Sequence, residues 1–188
     1  MESQPIKFIS ALSDTQLDAA REIFKAYESS VNACQCFQNF THELNNLADY
    51  YHFPMGEIWL AISQEQSNHD LSSSPKLPSV LPKNEYQEKL FNTSLVAGCI
   101  ALKPVGNEAG EIKRLFVKPS FRGMSIGQRL LKKLVLSAQS KGMKQLVLET
   151  VPQFASAIKI YQSFGFELQE PDRKYQLNEI MHWKLTIG

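Results

Sequence analysis

Residues 111–127 read Glu-Ile-Lys-Arg-Leu-Phe-Val-Lys-Pro-Ser-Phe-Arg-Gly-Met-Ser-Ile-Gly, and a helical pattern follows at once. Ile112, Leu115, Phe116 and Val117 form a short apolar run of strand formers that Pro119 stops. From Ile126 the apolar positions fall at Ile126, Leu130, Leu131, Leu134, Val135 and Ala138, with Gln128, Arg129, Lys132 and Lys133 on the other side. That is the spacing of an amphipathic helix. Between strand and helix lies the turn Ser120 to Gly127, carrying two glycines and an arginine. A helix start leaves its first N–H groups unpaired, and the helix dipole makes that end positive. Gly123 and Gly127 let a ligand approach the backbone, so the turn is suited to a phosphate or pyrophosphate.

Charge points the same way. From Glu111 to Lys133 seven cations (Lys113, Arg114, Lys118, Arg122, Arg129, Lys132, Lys133) face one anion, Glu111, in a chain whose net charge is only +1. A basic stretch in a nearly neutral protein suggests one local anionic ligand; a solvated helix face is the plainer alternative.

Arg122-Gly123-Met124-Ser125-Ile126-Gly127 resembles the Arg/Gln-x-x-Gly-x-Gly/Ala signature of the GNAT superfamily of N-acetyltransferases. Leu115-Phe116-Val117-x-Pro119 looks like that family's fourth strand, and Ala157-x-x-Ile160-Tyr161-x-x-x-Gly165-Phe166 resembles its Ala-x-x-Leu-Tyr-x-x-x-Gly-Phe block. Ser125 stands where the family usually has glycine, and Phe154 where many members carry an asparagine.

The resemblance implies an acyltransferase moving acetyl from acetyl-CoA to an amine, with no metal. Cofactor-binding residues would be Leu115, Phe116 and Val117 along the pantetheine arm, and Arg122, Gly123, Met124, Ser125, Ile126 and Gly127 at the pyrophosphate. Tyr161 takes the family's general-acid place. Glu111 is the candidate base, and Arg114 a candidate substrate-binding residue. Glu111 and Arg114 lie three apart on one strand and would face opposite sides unless a bulge changes the parity. The implied fold is α/β: a mixed, mostly antiparallel central sheet with a parallel pair at the CoA site and helices on both faces. The acceptor, a small molecule or a peptide, is not readable; the aromatics Tyr27, Phe37, Phe40 and Tyr50 to Phe53 either line its pocket or fill the core. A homodimer is left open.

At 188 residues, the expected organisation is a single domain, 1–188, with an insertion at about 64–92 that is rich in Ser, Pro, Asn and Lys. Its one helix candidate is Glu85 to Phe91. The N-terminus has no signal-peptide pattern, no apolar run approaches membrane length, and Cys34, Cys36 and Cys99 make no disulfide framework. A cytoplasmic protein without membrane or nucleic-acid partners is the expectation.

Before the central stretch, Ile6 to Ser10 reads as a strand, and a helix capped by Asp14 runs to about Val31. A second helix begins near Thr41, with Leu44, Leu47 and Ala48 on its apolar side. Glu57 to Ser63 and Leu95 to Lys103 are strands. After it, Gln145 to Thr150 suits a buried parallel strand, Phe154 to Phe164 a helix, and Phe166 to Leu168 and Glu179 to Thr186 the last strands.

Two rival readings come from the same residues. Gly123-Met124-Ser125-Ile126-Gly127 also matches the Gly-x-Ser-x-Gly nucleophile elbow, with Asp172 and His182 following in triad order. Against it, the strand signal ends several residues before Ser125. The other rival is a CoA-binding sensor or partner-binding module without turnover, since a fold does not prove activity.

Overall fold

A computed structural model of the chain describes residues 5–31, 39–64, 95–106, 108–170 and 180–188. Beyond Gln64 the expected insertion lies outside the described residues, as do its helix candidate, Phe37, Cys34, Cys36 and Asp172.

The element order begins with strand β1 (Ile6–Ser10) and helix α1 (Asp14–Ser30). Ser13, not Asp14, caps α1: its Oγ accepts the Gln16 N–H at 3.4 Å, and Gln16 Oε1 accepts the Ser13 N–H at 3.1 Å. The reciprocal pair satisfies donors at both ends of the first turn, which a lone Asp14 one residue later would not. The helix expected near Thr41 comes as two short pieces, α2 (Phe40–Asn45) and α3 (Leu47–Tyr50), broken at Asn46, whose φ is −135°. The chain continues through β2 (Glu57–Ser63), β3 (Val96–Val105), β4 (Ala109–Val117), a 3-10 turn (Pro119–Phe121), α4 (Ile126–Ser140), β5 (Gln145–Thr150), α5 (Ala155–Ser163), β6 (Glu167–Gln169) and β7 (Met181–Thr186).

The described strands form one seven-stranded sheet in the order β1-β2-β3-β4-β5-β7-β6. Every neighbouring pair is antiparallel except β4 and β5, which are parallel. Apolar layers cover both faces. On one, Ile126, Leu130, Leu131 and Leu134 of α4 pack with Ile100, Leu102, Ile112 and Leu146. On the other, Leu17, Ala20, Ile23 and Phe24 of α1 pack with Ile58, Leu60 and Phe116. Each of the larger side chains, Leu, Ile or Phe, withdrawn from water contributes about 1.5–3 kcal/mol, so the two layers hold the sheet rigid between them. Helices thus flank the expected mixed, mostly antiparallel sheet.

Two irregularities of β4 open the sheet and aim its side chains. The β4–β5 ladder runs only from Ala109–Gln145 to Glu111–Val147; beyond it the two strands are no longer paired. On its other side β4 carries an extra residue against β3, where the register shifts between Cys99 and Ala101. Arg114 sits in this bulge at φ 59°. The bulge reverses the in–out alternation. Ile112, Leu115 and Val117 all pack toward α4, while Arg114 and Phe116 turn toward α1 and α2. Glu111 and Arg114 therefore share one face, as a bulge would require.

Candidate active site

Where β4 leaves β5, a cavity of about 840 Å³ opens. One wall is the unpaired stretch of β4, Leu115 to Val117; opposite lie the turn Arg122 to Gly127 and the first residues of α5. Eight of the nine residues expected at the cofactor line it. The exception is Met124, whose side chain packs against the α4 core layer instead.

The turn takes a left-handed backbone at two positions. Gly123 has φ 83°, and Ser125, the residue before α4, has φ 55° and ψ 20°, a left-handed conformation that suits the family's glycine better than serine. The Ser125 side chain makes no cap hydrogen bond, so it leaves the N–H groups of the first turn of α4 to another acceptor. A Cβ on Gly127 would lie 3.1 Å from Ile160 Cδ1 and 3.8 Å from Val117 Cγ2, so the bare backbone keeps this end of the cavity open.

The basic stretch does not converge on the turn. Of its cations, only Arg122 borders the cavity, and its Nε donates to the Val117 carbonyl at 3.2 Å. Arg129 lies over the Phe8 ring at 4.6 Å, and Lys133 over Trp59 at 5.2 Å. Lys113 is ion-paired with Glu111 at 2.7 Å. The cluster seen along the chain is dispersed because strand and helix turn successive side chains onto different faces.

A smaller pocket of about 50 Å³ adjoins the cavity. Tyr27, Leu115, Phe154 and Ala157 border both. Glu111, Arg114 and Tyr161 border only the smaller one, which gathers the three expected reaction and acceptor residues at one place. Their surroundings differ from expectation in two respects. Arg114 does not extend a free guanidinium toward an acceptor: it is 6% exposed, and Nε donates to Glu43 Oε1 at 2.8 Å while Nη2 donates to Oε2. Tyr161 is a core residue: it is 6% exposed, its ring 5.6 Å from that of Phe166, and burial pushes its hydroxyl well above the usual tyrosine range.

Phe154, at the place where many family members carry an asparagine, borders both pockets, whereas Glu43 is not legible in the sequence. Tyr27 is legible there only as a helix-face aromatic that either packs or lines a pocket. In the fold it stacks on Phe116 at 5.0 Å and meets Phe154 at 6.1 Å, and burial raises its pKa to about 12 against the opposing pull of Arg114. Phe40 and Tyr51, two further aromatics considered for an acceptor pocket, are core residues.

The elbow reading fails on geometry. A 3-10 turn separates Ser125 from the end of β4, whereas an elbow serine sits directly off its strand. His182 pairs with Glu149, Nδ1 to Oε1 at 3.5 Å. Among the described residues no cluster of His, Cys, Asp and Glu is placed to hold a metal ion, and no helix is long and apolar enough to cross a membrane.

A mixed sheet whose one parallel pair splays apart beside a glycine turn and a helix start defines an α/β fold with a cleft at the splay. A family model described as an acetyltransferase (GNAT) domain matches residues 87–168. An uncharacterized N-acetyltransferase of Schizosaccharomyces pombe is 33% identical over 92 residues, 48% of this chain and 56% of its own length. An uncharacterized N-acetyltransferase of Dictyostelium discoideum is 26% identical over 183 residues, 80% of this chain and 85% of its own. The chain thus spans only about half the length of the first of these relatives. The Salmonella typhimurium protein yncA, solved with its cofactor acetyl-CoA, superposes with a TM-score of 0.66 at 14% identity, covering 97% of this chain and 94% of that one. Residues 87–168 thus match a GNAT acetyltransferase domain, and the relatives named here are N-acetyltransferases to which this chain is similar.

Proposed function

We propose that the chain is an acetyl-CoA-dependent N-acetyltransferase acting directly on an amine, either a small molecule or a peptide. The observation that supports this most is the free edge of β4. After Glu111 its main-chain groups are released from β5, and they face the uncapped first turn of α4 across the cavity.

The residues present fit acetyl-CoA on three counts. An extended arm can add to the edge Leu115 to Val117 as an extra strand. The amides from Gly123 to Gly127, with Arg122 beside them, suit a pyrophosphate. Gly127 leaves the space that a side chain would fill. When bound, acetyl-CoA supplies a thioester already activated toward an amine.

The chain's own groups then divide the work. Main-chain amides near Val117 would stabilise negative charge developing on the oxygen of a bound thioester. Glu111, oriented by Lys113, takes the proton of the acceptor amine directly or through a water. Tyr161 keeps its hydroxyl proton across the whole working pH range, because burial opposes its ionisation, and delivers it to the departing sulfur. The aromatic trio Tyr27, Phe116 and Phe154 excludes water from the junction of the two pockets. The same reading makes this a cytoplasmic protein, where acetyl-CoA and reduced thiols occur together.

The deciding experiment measures free CoA released from acetyl-CoA in the presence of a panel of small amines, amino acids and peptides. Release that depends on one acceptor class supports the proposal and names the acceptor. Saturable CoA binding with no release across the panel would favour a binding module without turnover.

A further inference from the structure

One buried ionic group takes no part in the proposed chemistry: the pair Glu43–Arg114, whose side chains are 0% and 4% exposed. Arg114 grips the carboxylate with two nitrogens, Nε to Oε1 at 2.8 Å and Nη2 to Oε2. Tyr51 donates its hydroxyl to the same Oε1 at 2.5 Å, and the Phe40 ring lies 5.2 Å from the guanidinium carbon. Phe40 and Glu43 belong to α2, and Tyr51 follows α3. The short helical segments of one layer are thereby tied to a single residue of β4.

That residue is the bulge itself, at φ 59°. Its carbonyl also accepts the Cys99 S–H at 3.2 Å. Three residues before it the β4–β5 ladder ends, and one residue after it the free edge of the cavity begins. Stability alone accounts poorly for such a pair. Burying two charges is costly, and apolar replacements are often neutral or better. A forked guanidinium–carboxylate contact does fix orientation, which an apolar contact would not.

We propose that Glu43 and Arg114 are positioning residues. Together they hold the β4 bulge in its left-handed conformation, so that the peptide groups of Leu115 to Val117 stay turned toward the cavity. The inference rests on the reading of that cavity as the acetyl-CoA site.

The test compares the wild type with E43M/R114M, which removes both charges and fills their space with flexible apolar chains. Amide NMR signals of Leu115 to Val117 are followed during titration with CoA, alongside melting temperature, CoA affinity and kcat. The double variant is expected to fold with a modestly lowered melting temperature, because the Tyr51 hydroxyl loses its acceptor, and to keep CoA affinity within a few-fold, because the α4 turn is untouched. The Leu115 to Val117 amides should shift and lose their response to CoA, and kcat should fall by about 10²-fold, as for a displaced reacting group. A folded double variant with wild-type amide response and kcat overturns the proposal, whatever its melting temperature. If that variant does not fold, R114K decides, since it keeps the charge and loses the fork. A smaller fall in kcat with the same amide shift supports the proposal, and wild-type behaviour in both overturns it. Should the wild-type amides ignore CoA altogether, the acetyl-CoA reading fails and takes this inference with it.

Discussion

Single side chains carry the sharpest expectations. Tyr161→Phe keeps the ring packed on Phe166 and removes only the hydroxyl. General-acid catalysis contributes about 10² to 10⁴-fold, so kcat should fall within that range. The Michaelis constant for acetyl-CoA should hardly move, because on the proposed reading the arm and the phosphates would be held by other residues. An unchanged kcat would make Tyr161 a wall residue and leave water, or Tyr27 at the junction, as the proton source. Burial sharpens the point: a phenol near its reference pKa of about 10 would match an alkyl thiol, whereas burial raises that of Tyr161, so proton transfer on the proposed reading would need a sulfur that is itself desolvated. Ser125→Gly tests the turn. Its left-handed backbone costs a non-glycine residue about 1–2 kcal/mol, partly offset by the greater entropy of glycine in the unfolded chain. Urea melts should show a net gain of about 0.5–1 kcal/mol. A loss would mean that the serine hydroxyl has a role the geometry does not show. Gly127→Glu should abolish CoA binding by calorimetry, since a carboxylate would occupy the cavity mouth. Retained binding would place the pyrophosphate elsewhere.

Whole elements set where those side chains can act. Helix α1 delivers Tyr27 from its last turns to the junction of both pockets, and the helix is anchored at its far end by the Ser13–Gln16 box. Ser13→Ala should cost about 1 kcal/mol of stability, read from denaturant midpoints. A change of a few tenths would mean that packing of Leu17, Ile23 and Phe24 holds the helix start without its cap. The periodicity of α4 is plain in the chain, and so is the run that forms β4. The point where β4 parts from β5 is not, because the residues from Glu111 to Val117 look equally suited to pairing throughout their length. The Gln16 partner of Ser13 is present as a local four-residue pattern, yet the neighbouring Asp14 offers an equally good capping residue type. Only the backbone conformation of Ser13, extended at φ −87° and ψ 159°, separates the two.

Across the whole molecule, buried acids with raised pKa values make a prediction about alkali. Burial raises Tyr27 from 10.0 to about 12 and also raises Tyr50, Tyr51, Tyr161 and Cys99. In each case folding favours the protonated form. Their contribution is complete below the unfolded-state pKa and is lost as pH climbs, because the unfolded chain releases these protons first. For Tyr27 the window runs from pH 10 to about 12. Urea midpoints should therefore hold level through neutral pH and fall steeply above about pH 9–10. A level profile to about pH 11 would show that these groups ionise in place. Ligand linkage acts on the same global equilibrium: CoA at ten times its dissociation constant should add about 1.4 kcal/mol, seen as a raised melting temperature. No shift with millimolar CoA or acetyl-CoA would remove both CoA-based readings.

Local patterns were enough for the order of strands and helices, the glycine turn before α4 and the family motifs. Each depends on neighbours within a few residues: alternation in strands, the 3.6-residue period in helices, and the small side chains a tight turn tolerates. Partner choice over long separations was a matter for the tertiary structure. Glu43 and Arg114 stand 71 residues apart, and nothing in the spacing of either announces the other. The dispersal of Arg129 and Lys133 onto Phe8 and Trp59 required β1 and β2 to lie beside α4. The burial of Tyr161 required Phe166 and the α4 layer to close over it. Such contacts arise only when two apolar layers pack on one sheet, and no local period in the chain encodes which side chains then meet.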